Sequence, residues 1–179
     1  MAEKKALLVY YSYDEFTKKI AASIAHEIGA DIQRLVPKEK GKRSFYQHVE
    51  NPEQFEGYEK DEDKEEYIWG QESVEMDAKP EIEKLTYNPD DYDLIVLGTP
   101  VWTLTYAPPF NTFFDQQDFI NKDVALFCTH EGMAGDTFDD FEEILEGNNI
   151  ISVAEFQSTN DLEYLIKKAR DWARKLLNF

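Results

Sequence analysis

The sequence predicts an α/β fold: an open, doubly wound parallel sheet with helices on both faces, a three-layer sandwich. Three observations predict it. Residues 6–36 read as strand, helix and strand in immediate succession, the pattern of a right-handed parallel crossover. Tyr92-Asp-Leu-Ile-Val-Leu-Gly98 is a near-continuous apolar run, as expected of a strand covered on both faces. Apolar runs then alternate with amphipathic stretches to the end of the chain, giving five strands in all.

Taken in order, the first strand, Ala6 to Tyr11, passes through a polar turn, Ser12 to Phe16, into a helix. Ile20, Ala21, Ile24, Ala25 and Ile28 share one stripe of that helix, and Gly29 stops it. Asp31 to Val36 is a shorter strand with partial alternation, closed by Pro37. The regular pattern lapses over an insertion at about residues 38–79. Between Glu50 and Tyr67 nine acidic residues face two lysines, so this stretch is solvated. Its aromatics, Phe45, Tyr46, Phe55, Tyr58, Tyr67 and Trp69, favour an ordered flap over a disordered loop.

The Tyr92–Gly98 strand leads into a turn-rich loop, Thr99 to Pro109, whose closing Pro108-Pro109 pair suits the first turn of a helix through Phe110, Phe113 and Phe114. Lys122 to Thr129 is the fourth strand. After the loop His130 to Gly135, Asp136 is placed to cap a helix bearing Phe138, Phe141, Ile144 and Leu145, stopped by Gly147. Ile150 to Phe156 is the fifth strand. Asp161 to Leu177 is the last helix, with Leu165, Ala169, Trp172, Ala173 and Leu176 among the residues of its apolar face. No internal repeat or linker divides residues 1–179, which read as one domain.

Composition narrows the function classes. The 19 Lys and Arg against 37 Asp and Glu give a formal net charge of −18, a field that repels nucleic acid and anionic membranes. It favours a basic protein partner, and plain solubility accounts for it equally well. The single cysteine, Cys128, permits no intramolecular disulfide and makes no metal site alone. The chain has neither a signal-like apolar segment near Met1 nor an apolar run of about 18 residues, so a soluble cytoplasmic protein is the expectation.

In a sheet of this kind ligands bind beyond the carboxyl ends of the strands, where strand order reverses. The segments there are Ser12 to Thr17, Thr99 to Ala107 and Thr129 to Gly135. The first is the start of a helix, whose unpaired amides and dipole favour an anion. Ser12 and Thr17 offer hydroxyls, Trp102 a flat apolar face, and Gly132 and Gly135 close backbone approach. Together they suit a phosphorylated planar ligand. No acid, base and nucleophile set accompanies them, so no catalytic residue is assigned. His130 has no partner visible in the sequence, Cys128 reads as a small core residue, and Tyr10 and Tyr11 read as sheet packing.

Gly98-Thr-Pro-Val-Trp102 followed by Ala107-Pro-Pro109, and Ala125-Leu-Phe-Cys-Thr-His130 followed by a glycine-containing loop and Thr137-Phe138, resemble the flavodoxin family. The first strand and its Tyr-Ser-x-x-x-x-Thr-Lys-Lys-Ile-Ala turn resemble that family's phosphate loop. The resemblance covers most of the chain outside residues 38–79. It implies a strand order of 2-1-3-4-5 and FMN as the cofactor. Ser12 and Thr17, with the intervening amides of Tyr13, Asp14, Glu15 and Phe16, would hold the phosphate. Thr99, Pro100, Val101, Trp102 and Thr103 would line the isoalloxazine, with Trp102 stacking, and Thr129, His130, Glu131 and Gly132 would cover its other edge.

Two departures stand out. Glu15 and Phe16 replace the family's usual Gly-Asn, and Glu131 stands in what resembles a glycine run. A carboxylate about 5 Å from one phosphate charge would cost about 3 kcal/mol at an effective dielectric near 20, and far less if it pointed to solvent. The resulting expectation is an FMN protein transferring electrons to or from a basic redox partner, with a homodimer left open. The alternatives are an FMN-dependent reductase of quinones or other small acceptors, and a binding module that keeps the fold without FMN.

Overall fold

The computed structural model describes residues 4–38, 69–70, 74–159 and 161–178. Most of the insertion, with Phe45, Tyr46, Phe55, Tyr58 and Tyr67, lies outside the described residues, so the flap expectation is carried forward only for Trp69.

The elements are β1 (Ala6–Tyr10), α1 (Glu15–Ile28), β2 (Asp31–Arg34), β3 (Leu94–Trp102), β4 (Thr105–Tyr106), α2 (Pro109–Gln116), β5 (Asp123–His130), α3 (Thr137–Ile144), β6 (Asn149–Gln157) and α4 (Leu162–Leu176). The sheet runs β2-β1-β3-β5-β6, all parallel, with the two-residue β4 returning antiparallel along β3. Apart from β4, this is the expected 2-1-3-4-5 order.

Alternation along the central strands divides the apolar side chains between two cores. Leu8, Leu94, Val96 and Phe127 meet α1 and α4 through Ile20, Ile24, Leu165 and Ala169. Leu7, Val9, Ile95, Leu97 and Leu126 meet α2 and α3 through Phe110, Phe113 and Phe141. α1 ends as the sequence requires, with Gly29 in the left-handed region at φ 65° and its amide bonded to the Ala25 carbonyl. Pro109 takes the first position of α2, where its missing N–H costs nothing.

Several boundaries move. β3 does not stop at Gly98 but continues through Trp102, so half of the expected loop is strand. His130 is the last residue of β5 and not the first of a loop. Asp136 occupies the cap position of α3 without a side-chain hydrogen bond, and the helix ends at Ile144, before Gly147. The Asp136 amide is instead held by the Leu104 carbonyl at 2.7 Å.

Two contacts fix the registration of the central strands. Gly98 lies opposite Phe127, and a Cβ there would run into the Phe127 ring. At the far end, Lys4 donates to Asp123 Oδ2 at 2.7 Å and Asn149 to its Oδ1 at 2.9 Å, tying the start of β1 to β5 and β6.

Gly98→Ala is expected to destabilise the protein by about 1–3 kcal/mol through overpacking, read as a lower urea midpoint at unchanged slope. The Lys4 hydrogen bond, then that of Asn149, holds the Asp123 carboxyl below its usual range. Its stabilisation is therefore full above the unfolded carboxyl's pKa and is lost as pH falls through the lowered folded value. Asp123→Asn should cost about 0.5–1 kcal/mol at neutral pH, with the gap to the parent closing in acid unfolding titrations.

Candidate functional site: three loops at the carboxyl edge

β1 ends where the Tyr11 amide makes its last bond, to the Gly98 carbonyl at 3.1 Å. The chain then turns sharply, and hydroxyls hold the turn in shape. Ser12 Oγ donates to the Asp14 carbonyl and accepts from the Lys18 amide at 3.2 Å. Thr17 Oγ1 shares a hydrogen bond of 2.8 Å with Thr129 Oγ1, joining α1 to β5. Ser12 and Thr17 are fully buried, so in this state both hydroxyls face inward. Arg34, at the end of β2, donates from Nη2 to the Ser12 carbonyl at 3.1 Å and braces the turn from outside.

The surface of the turn belongs to Asp14 and Glu15, with Tyr13 and Phe16 half-buried. Asp14 is the cap of α1: its Oδ1 accepts from the Phe16 amide at 3.1 Å. That carboxylate oxygen stands where an oxygen of an anionic ligand would sit, so the helix terminus accepts an anion and the chain supplies its own. Glu15 points elsewhere. It pairs with Lys18 at 2.8 Å, and the Lys18 hydrogen bond holds its carboxyl below the usual range, with help from the charges of Arg34 and Lys19.

The second loop is a hairpin. β3 reaches Trp102, turns through Thr103 and Leu104 with φ of 46° and 68°, and returns as β4, pairing Val101 with Tyr106 and Trp102 with Thr105. Two consecutive positive φ values form the tightest hairpin turn, and Thr-Leu is a strained choice for it. Neighbouring groups hold it. The Leu104 carbonyl takes the Asp136 amide, Gly135 packs against Leu104 so closely that a Cβ would collide, and Thr105 donates to Asp140. Thr99 is fully buried and bridges the base, accepting from the Ala107 amide at 2.9 Å and donating to the Pro100 carbonyl at 2.8 Å. Pro100, Val101 and Trp102 are half-buried and Thr103 exposed.

Trp102 is the centre of an aromatic group. Tyr11 and Tyr13 meet it edge-on at 5.5 and 6.0 Å, and Trp69 stacks on it at 5.9 Å with 19° between the planes.

The third loop follows His130, the last residue of β5, whose ring is 3.4 Å from Glu155 through Nε2. Among the described residues neither ring nitrogen has a hydrogen-bond partner. Glu131 and Gly132 are exposed, the Glu131 carbonyl accepting from Gln157 Nε2 at 3.0 Å, and open space surrounds Gly132. Cys128 is fully buried; burial, then the Glu155 charge, pushes its thiol up to about 12, so it is no nucleophile at neutral pH.

All the expected site residues therefore lie at one edge, but in two tiers. Ser12, Thr17, Thr99 and Thr129 are inner braces; Asp14, Trp102, Thr103, Glu131 and Gly132 are reachable. The sequence reading took Tyr11 for sheet packing and Trp69 for a flap aromatic, and it did not single out Arg34. Tyr11 and Arg34 sit at the ends of β1 and β2, on the binding edge, and could have been found from that position. Among the described residues no cluster of potential metal ligands occurs, and no helix is long and apolar enough to cross a membrane.

A comparison with curated proteins finds no match. Among solved structures, a Bacteroides eggerthii DSM 20697 protein superposes with a TM-score of 0.68 at 19% identity, over 98% of this chain and 99% of that one. A flavoprotein in complex with FMN from Lactobacillus acidophilus NCFM gives a TM-score of 0.58 at 27% identity, over 90% and 96%. The azoreductase AzrA gives 0.52 at 13% identity, over 96% and 98%, a likeness of fold alone. The flavodoxin family model matches residues 5–150, through all three loops. By that match, and by the sheet order that agrees with it, the chain belongs to the flavodoxin family.

Proposed function

We propose that this protein binds FMN non-covalently and transfers electrons through it to or from a protein partner. FMN as the cofactor is supported by family membership and by the FMN complex of the Lactobacillus acidophilus flavoprotein. The observation that carries the reading is the meeting of an anion-accepting helix start with the Trp102 indole, at the point where strand order reverses between β1 and β3.

In this reading the phosphate replaces the Asp14 carboxylate at the Phe16 amide, within the turn from Ser12 to Thr17. Ser12, Thr17 and Thr129 hold the turn in place. The isoalloxazine lies against Trp102, beside Pro100, Val101 and Thr103, with His130, Glu131 and Gly132 along the other edge. Bound there, FMN supplies one- or two-electron redox chemistry, and the chain binds and orients it. Leu104 on the hairpin turn and Met133 on the third loop are 50% and 64% exposed, and the chain as a whole carries a net charge of −18, which suits contact with a basic redox protein. The reductase alternative has no such support: the groove of about 410 Å³ beside the hairpin is lined by Met76, Tyr106, Asp140 and Ile144 among others, and by none of the residues assigned to the flavin.

Adding FMN to the purified protein should quench flavin fluorescence and raise the melting temperature. If neither changes, both redox readings fail and a binding module remains. With FMN bound, NAD(P)H oxidation by a quinone no faster than with free FMN supports the carrier; a clear acceleration supports the reductase.

Asp14→Asn keeps a capping side chain and removes the charge that competes with phosphate. It should tighten FMN binding by roughly 1 kcal/mol, about fivefold. Glu15→Gln should change binding by less than about twofold, because that charge is exposed and already paired with Lys18. Fluorescence titrations of the two variants provide the comparison.

A further inference from the structure

Trp69 is the one aromatic residue of the 38–79 insertion among the described residues, and none of the three loops contains it. It is nevertheless a core residue, 9% exposed and packed in the cluster beneath the α2 face. Its carbonyl accepts from the Tyr11 hydroxyl at 3.0 Å, and its ring meets Tyr11 edge-on at 6.3 Å. Its indole covers Trp102 in a near-parallel stack. The next residue continues the cover: Gly70, at φ +99°, lies so close to the six-membered ring of Trp102 that a Cβ there would collide with it. Only glycine combines that φ with that approach.

We propose that Trp69 and Gly70 are a built-in backing for Trp102, positioning residues that fix its indole for flavin stacking. An indole at a hairpin tip has several rotamers to choose among. Here a ring stacks on it and a stretch of backbone closes on the rim of its six-membered ring, while Tyr11 and Tyr13 meet it edge-on. FMN would stack on Trp102 with Trp69 left in place. The opposite arrangement, in which the Trp69 indole stands in for the flavin and leaves when it enters, would expose a side chain that is 9% exposed here. The inference rests on the FMN reading and extends the cofactor wall to a segment outside the three loops.

The test measures FMN affinity by flavin fluorescence, and the visible circular dichroism of bound flavin, for the parent, Trp69→Ala, Trp69→Phe and Gly70→Ala. Trp69→Ala and Gly70→Ala should each weaken binding by about tenfold, the scale of one aromatic stacking contact, and alter the flavin dichroism. Trp69→Phe should restore binding to within about threefold of the parent, since a flat ring is retained. Unchanged affinity and dichroism in Trp69→Ala would reduce Trp69 to packing, and tighter binding would make it an occupant of the flavin's place; either result overturns the inference. Should Trp69→Ala fail to fold, Gly70→Ala decides in the same way. A parent that binds no FMN sinks the cofactor reading and this inference together, whereas a parent that binds beside indifferent variants sinks this inference alone.

Discussion

The parallel pairing of β1 with β3 is the constraint on which the rest of the structure depends. The two strands are remote in sequence and both are covered on both faces, so their backbone groups can be satisfied only by each other and by the outer strands. A slip of one residue would turn one strand over relative to the other, sending Leu7 to the α1 side and Leu8 to the other while Ile95 and Val96 stay where they are. Correct register sets Tyr10 opposite Gly98 and bonds the Tyr11 amide to the Gly98 carbonyl, and from there the chains diverge: β1 into the turn and α1, β3 onward to Trp102. The crevice between them, and the contact of Tyr11 with Trp102, follow from that divergence.

Charge at the crevice differs from charge over the whole molecule. With a net charge of −18 the chain is a poor environment for a phosphate in general. At the start of α1, however, Lys18, Lys19 and Arg34 act on Glu15, and Arg34 also holds the turn itself. The carboxylate that engages the helix terminus is Asp14, one residue earlier than the obvious misfit in the sequence. A helix start without a ligand satisfies its amides with whatever acceptor is near, and a capping Asp is the cheapest available. The same group therefore stabilises the helix and would compete with an anion proposed to bind there.

Much of this was legible in the sequence. The stripe of α1 with Gly29 behind it, the Pro109 helix start and the apolar β3 run each carry a local physical signal, and together they imply the sheet order. What was illegible lacked such a signal. Pro100 and the threonines around it made Thr99–Trp102 read as loop, although a proline is tolerated where strand pairing is about to end. The Thr103-Leu104 turn contains no glycine or asparagine to announce its positive φ values, because it is stabilised from a different part of the chain. The outward aim of Glu15 was partly readable, since Lys18 stands three residues on, the spacing at which helix side chains meet. The inward aim of Ser12 and Thr17 was not, because it depends on Thr129 and on Arg34. Trp69 read from sequence only as one aromatic of a flap, since its stack on Trp102 depends on where Trp102 lies.

The strained hairpin has one more consequence. Thr103 and Leu104 hold a conformation that their side chains disfavour, and the bond that secures it, from the Asp136 amide, belongs to the start of α3. If that bond opens, the turn has little reason to persist; if the turn relaxes, the loop beyond His130 loses its anchor. The two segments are therefore expected to open together, and the position of Trp102, one residue before the turn, depends on both.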